Sequence, residues 1–153
     1  MSAQETPPGR PAWTPPGEPA WEAELPVAKV AAADVPSSPR HGGELRIVLG
    51  PATTGVASGF MGTGLLAVGE RIREHYHPYS DEFMYVVQGG LEVTTGGKDV
   101  HRVTAGEGIL IPRMTRHKML NDGTVPTFVV FHSCPLAPRP ELGHVDTEEP
   151  DGE

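Results

Sequence analysis

The chain has 153 residues and a formal charge of -8, and its 37% hydrophobic content allows one modest core. No run approaches the roughly 20 apolar residues of a bilayer span, and no charged segment leads into an apolar one at the start. No basic stripe or polybasic patch argues for nucleic acid or an anionic membrane, and a single cysteine, Cys134, excludes an intrachain disulfide and fits the cytoplasm.

Residues 1–40 hold nine of the 17 prolines, and "ETPPGRPAWTPPGEPAW" can bury little, so a disordered or extended arm is expected there. Residues 41–140 carry nine acids against nine Lys and Arg, so the net charge belongs to the ends and not to the domain. Within this span short strands are predicted at 44–49, 60–68, 82–87, 91–95, 98–103, 108–111, 117–120 and 127–133, each bounded by Gly, Pro, Asn or Asp. Gly89-Gly90 and Gly96-Gly97 read as hairpin turns joining three of them. Regular turns without helical periodicity argue for an all-β antiparallel barrel or sandwich. Cys134 ends an apolar run and reads as a half-buried structural thiol. Residues 141–153, "ELGHVDTEEPDGE", have six acids and no Lys or Arg, and an acidic solvated tail is expected.

One stretch, "EHYHPYSDE", carries the chemistry. Residues i and i+2 of a strand share a face, so His75 and His77 should project together. "PYSD" turns the chain, and a hairpin of that length can bring the Glu82 carboxylate back beside the imidazoles. His117, about 40 residues on, can be placed opposite that pair by an antiparallel barrel. Two imidazoles and a carboxylate suit a divalent ion such as zinc, iron, manganese or nickel. With His117 added, positions stay open if the ion is five- or six-coordinate, and an open position separates catalytic from structural sites. His132 shares parity with Val130 and Phe128; if that face lines the barrel, His132 can act as general base. Arg71 and Arg73 share the parity of the two histidines, which would let Arg73 reach the barrel mouth. Tyr85, of opposite parity to Glu82, should point away from the metal. His41, His101 and His144 are expected on solvated faces.

These residues resemble the two cupin motifs. The first is Gly69, five residues, His75-x-His77, four residues, Glu82, six residues, Gly89; the second is Gly106, five residues, Pro112, then His117, three residues, Asn121. One position departs: Met114 stands where the family usually has glycine, so a different or mildly strained turn is expected. The resemblance implies a single cupin barrel (double-stranded β-helix, or jelly roll) with His75, His77, Glu82 and His117 holding a divalent metal ion, zinc first among the candidates.

A narrower resemblance covers about residues 40–145. "RHGGELRIVLGPATTGVASGFMG" with "EHYHPYSDEFMYVVQG" is similar to the small cupins of bacterial aromatic polyketide pathways of tetracenomycin, resistomycin and spore-pigment type, described as cyclases. It implies a small-molecule polyketide substrate, an acyl carrier protein or polyketide synthase as transient partner, and regiospecific ring closure of a poly-β-ketone. The same ligands would also serve an oxygenase acting on an aromatic or quinone substrate, or a non-catalytic cupin that binds a product or stabilises a synthase. A homodimer is expected, with "ELRIVL" as an edge strand that a second copy can cover.

Overall fold

The computed structural model describes residues 25–38 and 41–148. The expected N-terminal arm therefore lies mostly outside the described residues, as does the tail beyond residue 148. Ten strands follow in chain order: β1 (Glu44–Leu49), β2 (Phe60–Leu66), β3 (Arg71–Tyr76), β4 (Asp81–Gln88), β5 (Gly90–Thr95), β6 (Asp99–Thr104), β7 (Gly108–Ile111), β8 (His117–Leu120), β9 (Thr127–Cys134) and β10 (Val145–Asp146). They form two five-stranded antiparallel sheets, one ordered β1-β2-β9-β4-β7 and the other β10-β3-β8-β5-β6. Between the sheets lies one apolar core of Leu66, Ile72, Met84, Val86, Leu91, Val93, Val103, Ile111, Met119 and Val129. Among the described residues no helix is long and apolar enough to cross a membrane.

Alternation along the strands sets this arrangement. In β4, Glu82, Met84 and Val86 are buried while Phe83, Tyr85 and Val87 are exposed, the period-2 pattern of a strand with one face on a core. The two glycine pairs behave differently. Gly96-Gly97 does turn a hairpin, because β5 pairs with β6 around it. Gly89 does not: β4 and β5 belong to different sheets, so the chain changes sheet there. Gly89 has φ 76°, and a Cβ on it would stand 2.6 Å from Thr127 Oγ1 and 2.9 Å from the Pro126 carbonyl oxygen. Only glycine lets the two backbones pass so closely.

The outer face of the first sheet is apolar as well. Strand registers set Met61, His132, Phe83 and Leu110 side by side across four strands, followed by a row of Thr63, Val130, Tyr85 and Gly108. Across these four strands His132 is the one basic side chain in the two rows, and on β1 the second row continues into Arg46. Phe83 (45%), Tyr85 (50%) and Leu110 (54%) expose about half their surface. Antiparallel sheets commonly leave one face to water, and this one presents a hydrophobic surface instead.

Two segments assigned to the arm and the tail contact the barrel. The Arg46 guanidinium donates hydrogen bonds to the carbonyls of Ala32 and Val35, and Ser38 bridges to Leu45 on the free side of β1. Beyond residue 140 the chain returns as a strap: β10 pairs with β3, Thr147 N–H donates to the Glu74 carbonyl (3.1 Å), and Glu148 accepts from Glu74 N–H (2.9 Å) and from Arg71. The acid-rich composition of this segment hides it, because backbone pairing and an ion pair hold it, with little apolar burial.

Asn121 closes the lower end of β8. Fully buried, its amide donates to the carbonyls of Leu66 (3.1 Å) and Val125 (2.9 Å), and its side-chain oxygen accepts from Gly123 N–H (3.1 Å). Asn121→Ala would orphan three polar groups, at a cost of about 3 kcal/mol. Urea unfolding should show that loss as a lower midpoint with an unchanged slope.

Candidate metal centre

Four ligand-bearing side chains meet at one end of the core: His75, His77, Glu82 and His117 each offer an atom within 4.8 Å of the others. They arrive from both sheets. His75 is the penultimate residue of β3, His77 lies just past its end, and His117 opens β8, which pairs with β3 so that His75 and His117 are register partners. Glu82 comes from β4 in the facing sheet. This differs from the hairpin expected from sequence: β3 and β4 are not paired, and the carboxylate crosses the gap between the sheets to reach the imidazoles. His117 correspondingly lies beside His75 and not opposite it.

A bulge aims His75. Between Ile72 and His75, β3 advances three residues while β8 advances two, from Met119 to His117. The extra residue flips parity, so Ile72 and His75 both point inward. Arg71 and Arg73 therefore do not share the face of His75; Arg71 pairs with Glu148. The contribution of Arg73 to the cluster is its backbone carbonyl, which accepts from His75 Nδ1 at 2.7 Å.

The same device recurs at the other imidazoles. His77 Nδ1 lies 2.8 Å from the Gly143 carbonyl, and His117 Nδ1 lies 2.8 Å from the Thr115 carbonyl. A carbonyl only accepts, so each Nδ1 carries its proton and each Nε2 is left as the donor atom toward a metal. The Nε2 atoms of His77 and His117 then stand 3.2 and 3.1 Å from the same Glu82 oxygen, Oε2. Lone pairs facing a carboxylate repel it unless a second proton or a cation lies between them.

The electrostatics express the same convergence. Burial, with the like charges of His117 and His77, pushes His75 down to about 3, against the pull of the Arg73 carbonyl and Glu82. Burial also disfavours charge on His77, but the hydrogen bond and charge of Glu82 outweigh it and raise that pKa above the ordinary histidine value. Burial would raise Glu82; His117 and His77, when each carries a second proton on Nε2 and donates it, overcome that and hold the carboxyl well below the usual range. A buried anion facing three neutral-capable imidazoles fits a divalent cation, and an N₃O donor set suits zinc, iron, manganese or nickel.

Comparison with known proteins agrees with this geometry. Residues 63–133 match the cupin domain. The chain is 54% identical over 123 residues to protein SchB of Streptomyces halstedii, covering 80% of this chain and 88% of that one. It is 49% identical over 121 residues to the tetracenomycin polyketide synthase protein TcmJ of Streptomyces glaucescens, covering 79% and 80%. The chain belongs to the cupin family. The structure of the polyketide cyclase RemF from Streptomyces resistomycificus shares the fold, with a TM-score of 0.65 at 14% identity over 82% of this chain and 88% of that one.

In this cupin His132 is not brought to the ligand cluster. The inner face of β9 is Thr127, Val129, Phe131 and Ser133, and His132 points outward beside the Phe83 ring, 6.0 Å between centroids. Its parity with Val130 and Phe128 holds, but that face is the outer one. Tyr85 points away from the cluster, with half its surface exposed.

Sequence reading misses two features of the site. Asp81 receives three hydrogen bonds from Arg113, two of them through the guanidinium, and so clamps the start of β4 to the loop before β8. The signal was the placement of these charges, one residue from Glu82 and one from Pro112. His41 and His144, expected in solvent, instead stack: His144 lies 4.4 Å from His75 and 3.9 Å from His41 between centroids.

Met114 keeps the turn that glycine usually makes. Its φ is 66°, and its N–H donates to the His77 carbonyl at 2.9 Å, tying this loop to the ligand pair. A side chain in the left-handed region costs about 1 kcal/mol or more. Met114→Gly should therefore stabilise the protein by about 1 kcal/mol, read as a raised urea midpoint with metal content unchanged.

Proposed function

We propose that this cupin is a metal-dependent cyclase that guides regiospecific aldol closure and aromatisation of a poly-β-ketone in aromatic polyketide biosynthesis. The observation that carries the reading is the convergence of three oriented imidazoles and one buried carboxylate, and the kinship with TcmJ directs it toward polyketides. We infer zinc as the ion, with iron, manganese or nickel compatible with the same donors.

A divalent cation held there would supply Lewis-acid polarisation of a substrate carbonyl. The chain's own residues supply position and exclusion of water. Met84, Met119, Ile72 and Ile111 are buried next to the ligands in strand order and make an apolar floor, while the Asp81–Arg113 clamp keeps the two ligand-bearing loops in register. In the reaction a methylene between two carbonyls loses a proton, its carbon adds to a third carbonyl of the same chain and closes the ring, the new alkoxide takes up a proton, and loss of that hydroxyl as water with enolisation makes the ring aromatic. His132 lies on the outer face, so the reading gives it no part in that proton transfer. The substrate arrives on an acyl carrier protein or from the synthase itself, and the reaction is placed in the cytoplasm, where a lone thiol such as Cys134 is kept reduced.

Metal-loaded protein, incubated with a synthase that makes a poly-β-ketone, should concentrate the product mixture into one ring pattern, and His117→Ala should abolish that effect. The same mixture with and without the protein would contradict the proposal. Oxygen uptake in step with product would point to an oxygenase instead.

The reading also makes the unit a homodimer. Its support is the largely apolar outer face of the first sheet, where Met61, Phe83, Tyr85 and Leu110 are exposed. Light scattering should give twice the chain mass for the wild type and one chain mass for the Phe83→Asp, Tyr85→Glu double variant with unaltered circular dichroism. A wild type that scatters as a single chain would contradict it.

A further inference from the structure

We infer that His41, His144 and Asp146 form a second divalent-cation site at the rim of the barrel, beside the four-residue cluster and separate from it. Their ligand atoms lie within 4.8 Å of one another. His144 Nε2 stands 2.7 Å from Asp146 Oδ1, and His41 Nδ1 stands 3.9 Å from the same oxygen. One imidazole nitrogen thus hydrogen-bonds the carboxylate oxygen, and a second lies within ion-pair range of the same atom.

Backbone positions these donors. His144 and Asp146 are i and i+2 neighbours flanking Val145, and β10 pairs with β3 so that Asp146 lies opposite His75 and Val145 opposite Tyr76. His-x-Asp on the strap therefore faces His-x-His on its neighbour. His41 comes from the turn before β1, and its carbonyl accepts the Arg73 N–H at 3.2 Å. The rings of His41 and His75 each stack on His144, at interplanar angles of 26° and 15°, with their own centroids 6.0 Å apart. The strap is fastened beyond the site by Thr147 and Glu148 to Glu74.

Two imidazoles and a carboxylate match borderline divalent ions, and three donors leave positions for water or an incoming oxygen ligand. The imidazoles of His41 and His144 are covered about as well as that of His77, but the Asp146 side chain is 42% exposed against 10% for Glu82, so an ion here meets water through its carboxylate and exchanges more readily. The two sites are also joined mechanically. Gly143, next to His144, supplies the carbonyl that orients His77.

The test uses the full chain, stripped by chelation and dialysed to equilibrium against zinc, with bound metal counted by mass spectrometry. The inference does not depend on the reaction and is read without turnover. The wild type should saturate at two ions per chain. Asp146→Asn and His41→Ala should each saturate at one, with circular dichroism unchanged, and His117→Ala should keep the weaker ion. A wild type that saturates at one ion would overturn the inference. So would Asp146→Asn holding two, or holding none while folded.

Discussion

The arrangement of this protein depends on three backbone carbonyls. Arg73, Gly143 and Thr115 each take the Nδ1 proton of one histidine, and by doing so they turn three Nε2 atoms toward a single buried carboxylate. An imidazole left to rotate would offer either nitrogen; one whose Nδ1–H is committed offers only the other. The cost of burying Glu82 is offset only because those nitrogens, or an ion between them, face it. Each carbonyl comes from a different kind of local structure: a bulge, a returning strap and the loop before a strand. Site and fold are therefore one construction, and the barrel's irregularities are the parts that aim the ligands.

The strand pattern was largely legible in the sequence. Turn residues bracket each strand, and alternation in "EFMYVV" marks which side chains enter the core. The two-motif spacing likewise named the four candidate side chains that the structure gathers. What a local pattern does not carry is which sheet a strand joins. "PYSD" and Gly89 read as hairpin turns, yet both are crossings between sheets, since pairing partners are decided by distant strands. Parity arguments failed where a bulge intervened, as at Arg73. They were ambiguous where both faces of a strand are apolar, as at His132, with Val130 beside it and Val129 behind it. The strap was hidden by composition, because main-chain pairing to β3 leaves no hydrophobic signature.

That strap changes how the molecule is partitioned. A segment of acidic character orients His77 through Gly143, brings His144 against His75 and closes the edge of the second sheet. The outer face of the first sheet has a different character: its centre is largely apolar, and none of the four clustered side chains lies on it. Ligand chemistry is thus concentrated at one rim of the barrel, and the surface suited to association lies on the outer face of one sheet. Such a separation lets a second copy cover the apolar face without blocking the rim.

Crystals of the zinc-loaded protein, measured at the zinc absorption edge, test the central claim most directly. The account predicts an anomalous peak about 2.0–2.2 Å from Nε2 of His75, His77 and His117 and from a Glu82 oxygen, with all three Nδ1 atoms still bonded to their carbonyls. A peak bound through any Nδ1, or zinc absent from this cluster at saturating concentration, would contradict it.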